Sequence, residues 1–350
     1  MTSSAIRVGI VGAGQNTRVR HLPGLRAIPG VEIVGVANRT PESTAQVAQE
    51  WKIPKSYGDW HSLVADPQID AVVIGTWPNL HCEVTCAALA AGKHVLCEAR
   101  MARNLSEARQ MRDASRKAPN LTAMLVPSPF GLISCLRIQE LISESYLGDL
   151  REFVLLGGTN QFFDYSQPLH WRQDAAISGE NILALGILHE TWLRWFPQPQ
   201  RLIAQTQIFE PIRPNPTASG NLPVTVPDSV QVLAQLSNGA RGVYHLSGIQ
   251  HFGPGYQLHL YGSSGTIKIR FTADEDEVFV GRVGDAELRH LKIPADRRGK
   301  WRVEEEFIAA IRGEEAVRHT DFETGIRYMA FTDAVNRSAA AGEYVELTDN

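Results

Sequence analysis

The chain has 350 residues, of which 43% are hydrophobic and 21% charged, and its formal net charge is −4. This length and balance predict a globular protein of two domains, each able to bury its own core. The slight negative charge gives no electrostatic basis for nucleic acid or an anionic membrane as the main partner. No apolar run approaches the ~20 residues of a membrane-spanning helix. Because the first residues also lack a cationic, then apolar, leader pattern, we expect a soluble cytoplasmic protein.

The four cysteines predict neither a disulfide framework nor a metal centre. So few cysteines fit a reducing compartment. Cys82 and Cys86 are spaced to lie on one face of a helix, where burial as small hydrophobic residues is favoured over reactivity. No second pair completes a zinc site, and the sequence contains no HExxH-like cluster. We therefore predict no bound metal.

Segments typical of strands and helices alternate strictly through about residue 126. The predicted strands are 6–11, 31–37, 70–75, 94–98 and 121–126, and the predicted helices are 16–28, 40–51, 81–92 and 104–117. We expect Pro23 to disturb the first helix. Such alternation predicts a doubly wound parallel sheet covered on both faces, the Rossmann type of α/β domain.

After residue 126 the pattern changes. Strand-like runs occur at 151–158, 201–209, 229–236, 241–247, 256–261, 265–271 and 277–283, and helices are predicted at 130–147, 180–196, 301–312 and 321–341. Ser237-Asn238-Gly239 and Ser263-Ser264-Gly265 predict turns between neighbouring strands. The Pro-rich stretch 210–228 is interpreted as a loop, acting either as a lid or passively.

These elements predict two domains. Residues 1–126 form a Rossmann domain for a dinucleotide, and residues 127–350 form an α+β domain with a large, open, mostly antiparallel sheet. The second domain is expected to bind substrate and to mediate oligomerisation.

A glycine turn links the first strand to the first helix. Gly12 permits a tight turn, and Gly14 lets the backbone approach a pyrophosphate at the helix N-terminus. The third glycine of the usual G-x-G-x-x-G motif is replaced by Thr17, which weakens the match. The surrounding alternation of strands and helices nevertheless favours dinucleotide binding over a cofactor-free fold.

The end of the second strand distinguishes NAD from NADP. An acidic residue there would bond the ribose 2′-hydroxyl, but the chain has Asn38 followed by Arg39. Arg39 is suited to a 2′-phosphate, so NADP(H) is favoured and NAD(H) remains possible. The alternative is that Arg39 is a solvated surface residue. We expect further cofactor-site residues around the glycine turn and the third and fourth strands: Gln15, Asn16, Thr76, Trp77, His81 and Glu98.

Several segments share their order and spacing with one known family. They are VGIVGAG (8–14), HLPGL (21–25), DAVVIGTWPNLH (70–81), ALAAGKHVLCE (88–98), HWR (170–172) and the C-terminal segments between 301 and 347. On these motifs the chain resembles the Gfo/Idh/MocA oxidoreductases over nearly its whole length. The resemblance implies a nicotinamide cofactor, and an open sheet face that commonly forms a dimer interface.

The resemblance also implies catalytic residues that this chain lacks. The family's Glu-Lys-Pro motif aligns with Glu98-Ala99-Arg100, so its lysine is replaced by alanine. The family's Asp and His, four residues apart on a helix, align with Ala184 and Leu188. Since alanine carries no transferable proton, the usual reaction needs other groups.

The candidate catalytic residues are His189, Glu98 and Arg100, of which Glu98 is the glutamate that the family motif keeps. His189 lies one position beyond the family's catalytic histidine and suits proton transfer near neutral pH, unless it is a buried histidine packed by Trp192 and Trp195. Arg100 either orients substrate or forms a structural ion pair with Glu98.

A polar and aromatic cluster precedes the helix that carries His189. The predicted substrate contacts are Tyr165, Trp171, Arg172, Asn181 and His189, with interdomain scaffolding as the alternative. His245, His251 and His259 are interpreted as structural. Apolar residues in QVLAQL (231–236) and GVYHLSG (242–248) predict a homo-oligomer, a dimer or tetramer.

Three functions follow as hypotheses. The first is an NADP(H)- or NAD(H)-dependent oxidoreductase acting on a sugar, cyclitol or related polyol. The second is a redox-neutral lyase or glycoside-cleaving enzyme that retains its nicotinamide. The third is a non-catalytic ligand-binding member of the family, suggested by the losses at 99, 184 and 188.

Overall fold

The computed structural model describes residues 5–272 and 275–347. They form two compact units: the described residues up to Pro127 together with Arg302–Ile326, and Ser128–Trp301 together with residues from Arg327 onward. The first unit contains the predicted Rossmann domain. The second contains the predicted α+β domain.

The first unit is built on a parallel sheet with six strands, counted over the described residues, in the order β3-β2-β1-β4-β5-β6. The strands are β1 (Ile6–Val11), β2 (Val31–Ala37), β3 (Lys55–Ser56), β4 (Ala71–Ile74), β5 (His94–Cys97) and β6 (Ala123–Leu125). All four residues of β4 are buried, as expected for a central strand covered on both faces. The strand order reverses between β1 and β4, so the carboxyl ends of these strands open a ligand crevice.

Helices connect these strands. They are α1 (Leu22–Arg26), α2 (Pro41–Glu50), α3 (Trp60–Ala65), α4 (Pro78–Ala90) and α5 (Leu105–Lys117). A π-helical turn, Thr17–His21, precedes α1, and the Leu22 amide bonds to the Thr17 carbonyl. The expected disturbance by Pro23 is thus confirmed, because a wider turn accommodates a residue without an N–H. α4 begins before its predicted start, since Pro78 suits the first helical position.

The second unit is built on a mixed sheet in the order β16-β15-β14-β13-β7-β12-β11-β8-β17. Its strands are β7 (Leu150–Gly158), β8 (Arg201–Gln207), β11 (Ser229–Gln235), β12 (Arg241–Ser247), β13 (Gly255–Gly262), β14 (Gly265–Phe271), β15 (Asp276–Arg282), β16 (Arg289–Leu291) and β17 (Val345–Glu346). Only β7 and β12 pair in parallel within the described part of this sheet. The predicted large, mostly antiparallel sheet is confirmed, and both predicted turns connect adjacent antiparallel strands.

The Pro-rich stretch 210–228 is not entirely loop. It contains a two-stranded hairpin of β9 (Ile212–Pro214) and β10 (Asn221–Pro223). Helices of this unit include α6 (Cys135–Ser143), α7 (Ala175–Ser178) and α8 (Leu185–Leu193). α6 and α8 are shorter than predicted, because Gly131 and Leu183, with φ of 72° and 47°, interrupt the helical backbone before them.

The core of the second unit lies between the sheet and its helices. Alternate residues of β11 point inward, and Val230, Val232 and Ala234 are buried. The rings of Phe153 and Trp192 stack with their centroids 4.0 Å apart. Period-two burial on one face explains why these strands were visible in the sequence.

The last two helices are α9 (Val303–Arg312) and α10 (Phe322–Ala341). The sequence placed them in the second domain, but Arg302–Ile326 packs with the first unit. The Leu125 amide donates to the Thr320 carbonyl at 3.0 Å, which extends the Rossmann sheet edge. This contact joins residues far apart in the chain, which no local pattern can reveal.

Within 5–272 and 275–347 no helix is both long and apolar enough to cross a membrane.

Candidate functional site

The glycine turn after β1 has two glycines with different roles. Gly12 has a φ of 84°, and a Cβ there would lie 2.7 Å from Thr76 Cγ2, so the fold itself requires glycine. A Cβ at Gly14 would find its nearest neighbour, the Gly75 carbonyl oxygen, at 3.6 Å. The protein's own packing therefore does not require Gly14 to be glycine. An open backbone at a helix N-terminus fits the approach of a diphosphate.

Thr17 replaces the third glycine without disturbing the turn. Its hydroxyl is buried and donates to the Gly12 carbonyl at 3.1 Å. The space for this side chain exists because the facing residue is Gly75, where a Cβ would lie 2.1 Å from Thr17 Oγ1. The expected weakness of the motif is thus compensated by a glycine on the neighbouring strand end.

Asn38 supports the turn from the end of β2. Its Oδ1 accepts the Ala13 amide at 2.7 Å, and its Nδ2 donates to the Ser43 carbonyl at 3.2 Å. Both ends of the side chain therefore hold the glycine turn against α2. Asn38 therefore supports the glycine turn, and its contact with the cofactor stays a prediction.

Arg39 and Trp77 lie together at the edge of the crevice. The Arg39 guanidinium carbon is 5.3 Å from the centroid of the Trp77 ring. Arg39 is exposed, and Trp77 is 38% exposed as the residue before α4. The preceding Thr76 hydroxyl donates to the Trp77 carbonyl at 3.2 Å. The charge of Arg39 is thus held at the surface by an aromatic face.

His81 is fully buried beneath the crevice rather than lining it. Its Nδ1 and Nε2 lie 2.9 Å and 3.0 Å from the carbonyl oxygens of Arg100 and Thr76. Burial lowers its pKa. The prediction that His81 contacts the cofactor is therefore corrected: the ring ties α4 to the segments after β4 and β5, which positions Thr76.

Glu98 follows β5 and lies beside the glycine turn. Its Oε1 accepts a hydrogen bond from the Asn16 side-chain amide and lies 3.0 Å from His21 Nε2. Asn16, like Gln15, is exposed in the first helical turn after Gly14. Predicted residues from two distant segments are thus brought together at the mouth of the crevice.

His21 and Glu304 complete this cluster, and neither was predicted. His21 is fully buried, and its Nδ1 lies 2.5 Å from Glu304 Oε1 on α9. Burial alone would lower the pKa of His21, but hydrogen bonds to Glu304 and Glu98 raise it to about 9. Burial would likewise raise the pKa of Glu98, yet its pairing with His21 lowers it. The cluster therefore holds an imidazolium between two carboxylates.

Ala99 and Arg100 follow Glu98. Ala99 offers no titratable side chain at the position of the family lysine. Arg100 is 3% exposed, and its carbonyl faces His81. Burial favours a structural place for Arg100, while its predicted contact with substrate stays a prediction.

The predicted substrate segment of the second unit forms a short 3-10 turn, Trp171–Gln173. The Arg172 guanidinium carbon lies 4.0 Å from the centroid of the Trp171 ring. The Gln173 carbonyl accepts the amides of Thr225 and Val226 at 2.9 Å and 3.2 Å. The Pro-rich segment is therefore fastened to this turn, which favours a fixed loop over a mobile lid.

Tyr165 and Asn181 differ in exposure. Tyr165 is 42% exposed, with the guanidinium carbon of buried Arg213 5.1 Å from its ring centroid. Asn181 is 1% exposed and its amide donates to the Ser178 carbonyl at 2.6 Å. The prediction that Asn181 contacts substrate is corrected, because its side chain is buried within its own turn.

His189 lies in the core of the second unit. It is fully buried, its ring stacks on Phe331 at 3.7 Å, and its Nδ1 lies 2.9 Å from the Tyr244 hydroxyl. Burial holds the pKa of His189 well below its usual value. These contacts argue against the predicted catalytic role and favour the alternative of a buried histidine, although Tyr244 and Phe331 take the places expected for Trp192 and Trp195.

This placement predicts a stability effect. His189→Phe should lower the free energy of unfolding by about 1–3 kcal/mol, because the buried Tyr244 hydroxyl loses its partner. Adding Tyr244→Phe should restore most of the loss, as measured by urea unfolding. Unchanged stability of His189→Phe together with lost turnover would instead return His189 to the catalytic site.

Metal ligands are absent from the described residues: no three His, Cys, Asp or Glu side chains there are grouped to hold an ion. His245 and His259 instead contact Gln250 and Gln257 at 3.2 Å and 2.8 Å. Both histidines lie on strands of the sheet.

Comparison with known proteins identifies the class. Residues 6–125 match the profile of an oxidoreductase family with an NAD-binding Rossmann fold, and residues 135–268 match the GFO/IDH/MocA C-terminal domain. The first unit is therefore the nucleotide-binding part of an oxidoreductase. The chain belongs to the Gfo/Idh/MocA family, as its motifs had predicted.

Individual relatives support this assignment. Trans-1,2-dihydrobenzene-1,2-diol dehydrogenase of Mus musculus is 30% identical over 251 residues, covering 69% of this chain and 68% of that protein. Levoglucosan dehydrogenase of Pseudarthrobacter phenanthrenivorans is 26% identical over 320 residues, covering 84% and 78%. A solved levoglucosan dehydrogenase in complex with NADH and L-sorbose superposes with a TM-score of 0.88 at 23% identity, covering 98% of this chain and 99% of that one. At that identity the likeness concerns the fold.

Proposed function

We propose that the chain is a dehydrogenase or reductase of a sugar or related polyol, and that it prefers NADP(H) to NAD(H). The observation that carries the proposal is the glycine turn, where the protein's packing leaves the position of Gly14 open. A bound nicotinamide would accept or donate the hydride. The substrate class is supported by the relative named for levoglucosan, which matches 84% of this chain.

The cofactor preference is supported by the end of β2. No carboxylate follows this strand to bond a ribose 2′-hydroxyl, since the residues are Asn38 and Arg39. The Asn38 side chain is engaged by Ala13 and Ser43, whereas the exposed Arg39 is positioned by Trp77. A planar guanidinium at this place suits a 2′-phosphate.

Arg39→Ala tests this preference. We expect the affinity for NADPH to fall by about tenfold to a hundredfold, the size of a lost charge-assisted interaction, and the affinity for NADH to stay unchanged. Titration calorimetry with both cofactors measures the difference. Arg26→Ala is the matched control, because Arg26 is also stacked over a tryptophan, Trp51, in the same unit. An equal loss for NADPH and NADH would contradict the proposed phosphate contact.

Residues of the second unit supply a surface suited to a sugar. The Trp171 ring offers an apolar face, and the adjacent Arg172 offers hydrogen-bond donors for hydroxyl groups. Since Ala99 carries no proton acceptor and His189 is buried, we propose that a water held by neighbouring polar groups takes the proton of the substrate hydroxyl. Glu98, ionised beside His21, orients the Asn16 side chain at the mouth of the crevice.

The first test is titration of the purified chain with NADPH and NADH, followed by a screen of sugars and polyols at the nicotinamide absorbance. Binding with turnover supports the proposal. Sugar cleavage without net change in nicotinamide absorbance would favour the redox-neutral lyase, which the loss of the lysine at Ala99 makes the second candidate. Binding without turnover would favour a ligand-binding protein, and no binding would exclude all cofactor-dependent functions.

We also propose that the chain forms a homo-oligomer through the open face of its large sheet. An apolar row crosses four adjacent strands, in which each residue pairs with the next: Ile203, Leu233, Val243 and Val154. Leu233 is 56% exposed, so this apolar row is uncovered in the single chain. Sedimentation velocity of the wild type and Leu233→Lys tests the proposal, and a monomeric wild type would contradict it.

A further inference from the structure

One buried imidazole joins three distant segments of the first unit. His21 ends the π-helical turn, and its ring nitrogens lie 3.0 Å from Glu98 Oε1 and 2.5 Å from Glu304 Oε1. Glu98 follows β5, and Glu304 lies in the first turn of α9. α1 comes so close to α9 that a Cβ at Gly24 would lie 2.9 Å from the Glu304 carboxyl group.

The arrangement favours a charged ring. A neutral imidazole has one N–H, so it could donate to only one of the two carboxylates and would direct a lone pair at the other. A charged ring also offsets the negative charge of the two carboxylates, which is costly to bury. The pKa of His21 is consistent with this geometry: burial lowers it, but the two carboxylates together raise it to about 9.

The charged ring acts on the cofactor site through Glu98. The same oxygen, Glu98 Oε1, faces His21 and accepts the side-chain amide of Asn16. Asn16 lies two residues beyond Gly14, in the first helical turn. If the ring lost its charge, the Glu98 carboxylate would lose its positively charged neighbour. Glu98 would then no longer be held in place against this helical turn.

We propose that His21 is a positioning residue of the cofactor site. Its imidazolium holds the Glu98 carboxylate against the helical turn after Gly14. The dinucleotide therefore binds with full affinity only while His21 is charged. The role rests on the proposed function, because it takes the glycine turn as the cofactor site. Glu98 and Glu304 face the ring directly. His81, the other histidine close to Glu98, has a pKa lowered by burial and is therefore neutral at and above neutral pH. On the same turn, Arg18 is paired with Glu50 at 2.8 Å.

The experiment measures the dissociation constant of NADPH across pH for the full chain. We expect the wild-type affinity to fall about tenfold as pH rises through about 9, the effect of losing one charge-assisted hydrogen bond. Glu304→Gln keeps an acceptor oxygen but removes one of the two charges that stabilise the imidazolium. The fall should therefore move to lower pH by about one unit. Glu50→Gln is the matched control and should leave the profile in place.

Ring resonances of His21, followed by NMR in the cofactor-free chain, give a second measurement that needs no variant. A ring that titrates near 9 together with NADPH affinity that falls in the same range supports the role. A ring that titrates there while the affinity stays constant, or a Glu304→Gln profile that does not move, overturns it. Failure of the wild type to bind NADPH or NADH at neutral pH overturns the proposed function and this role together, whatever the ring titration shows.

Discussion

Gly14→Ala is expected to weaken cofactor binding while leaving the chain folded. The new Cβ meets only ordinary contact with the Gly75 carbonyl, at 3.6 Å, and the backbone of Gly14 needs no positive φ. Gly-to-Ala substitution at such a position stabilises a protein by about 0.4–1 kcal/mol. A diphosphate that approaches this backbone would collide with the methyl group. Overpacking of about 1–3 kcal/mol corresponds to a loss of about tenfold to a hundredfold in affinity.

Two other glycines provide the controls for this prediction. Gly58→Ala meets no atom within 4 Å, so it should leave binding unchanged and stability unchanged or slightly raised. Gly12→Ala should lower stability, because its φ of 84° and the approach to Thr76 both oppose a side chain. Fluorescence titration with NADPH and thermal unfolding separate the three variants. Wild-type affinity in Gly14→Ala would show that no diphosphate lies on this turn.

Stability is expected to fall by roughly 3 kcal/mol between pH 6.5 and about 9, from His21 alone. The folded pKa of His21 is raised to about 9 from the ordinary value of 6.5. A raised pKa means that the folded state binds the proton more tightly than the unfolded state. The contribution is therefore complete below pH 6.5 and is lost as pH rises toward 9.

Urea unfolding of the wild type and His21→Gln over this range isolates the cluster of Glu98, His21 and Glu304, because titrating groups outside it contribute equally to both chains. The variant should be less stable than the wild type near pH 6.5, and the difference should close near pH 9. Parallel curves for the two chains would show that His21 is not charged in the folded protein.

Much of the fold was predictable because burial imposes a period on the sequence. The buried runs of β1 and β4, and the alternating pattern of β11, identified both kinds of sheet. The two-residue strand β3 and the short hairpin of β9 and β10 were missed, since such segments are too short to show a period. The return of Arg302–Ile326 to the first unit was missed because it depends on contacts between remote residues.

The cofactor turn was predictable for a similar reason: glycine spacing is local. HLPGL (21–25) was identified as a family motif, but no role was predicted for His21, because its partner Glu304 lies 283 residues away. A histidine in that motif was the one available signal. The burial of His189 and Asn181 was not predicted, because sequence position on a helix or turn does not reveal whether a side chain faces solvent or core.

The chain path has a consequence for synthesis. The segment that carries Glu304 is translated long after β1 to β6, with the greater part of the second unit in between. A nascent Rossmann unit therefore emerges from the ribosome with His21 and Glu98 already present but with the second carboxylate missing. A truncated product ending near Pro127 would keep the glycine turn but would lack Arg302–Ile326, so an N-terminal fragment contains only part of the first unit.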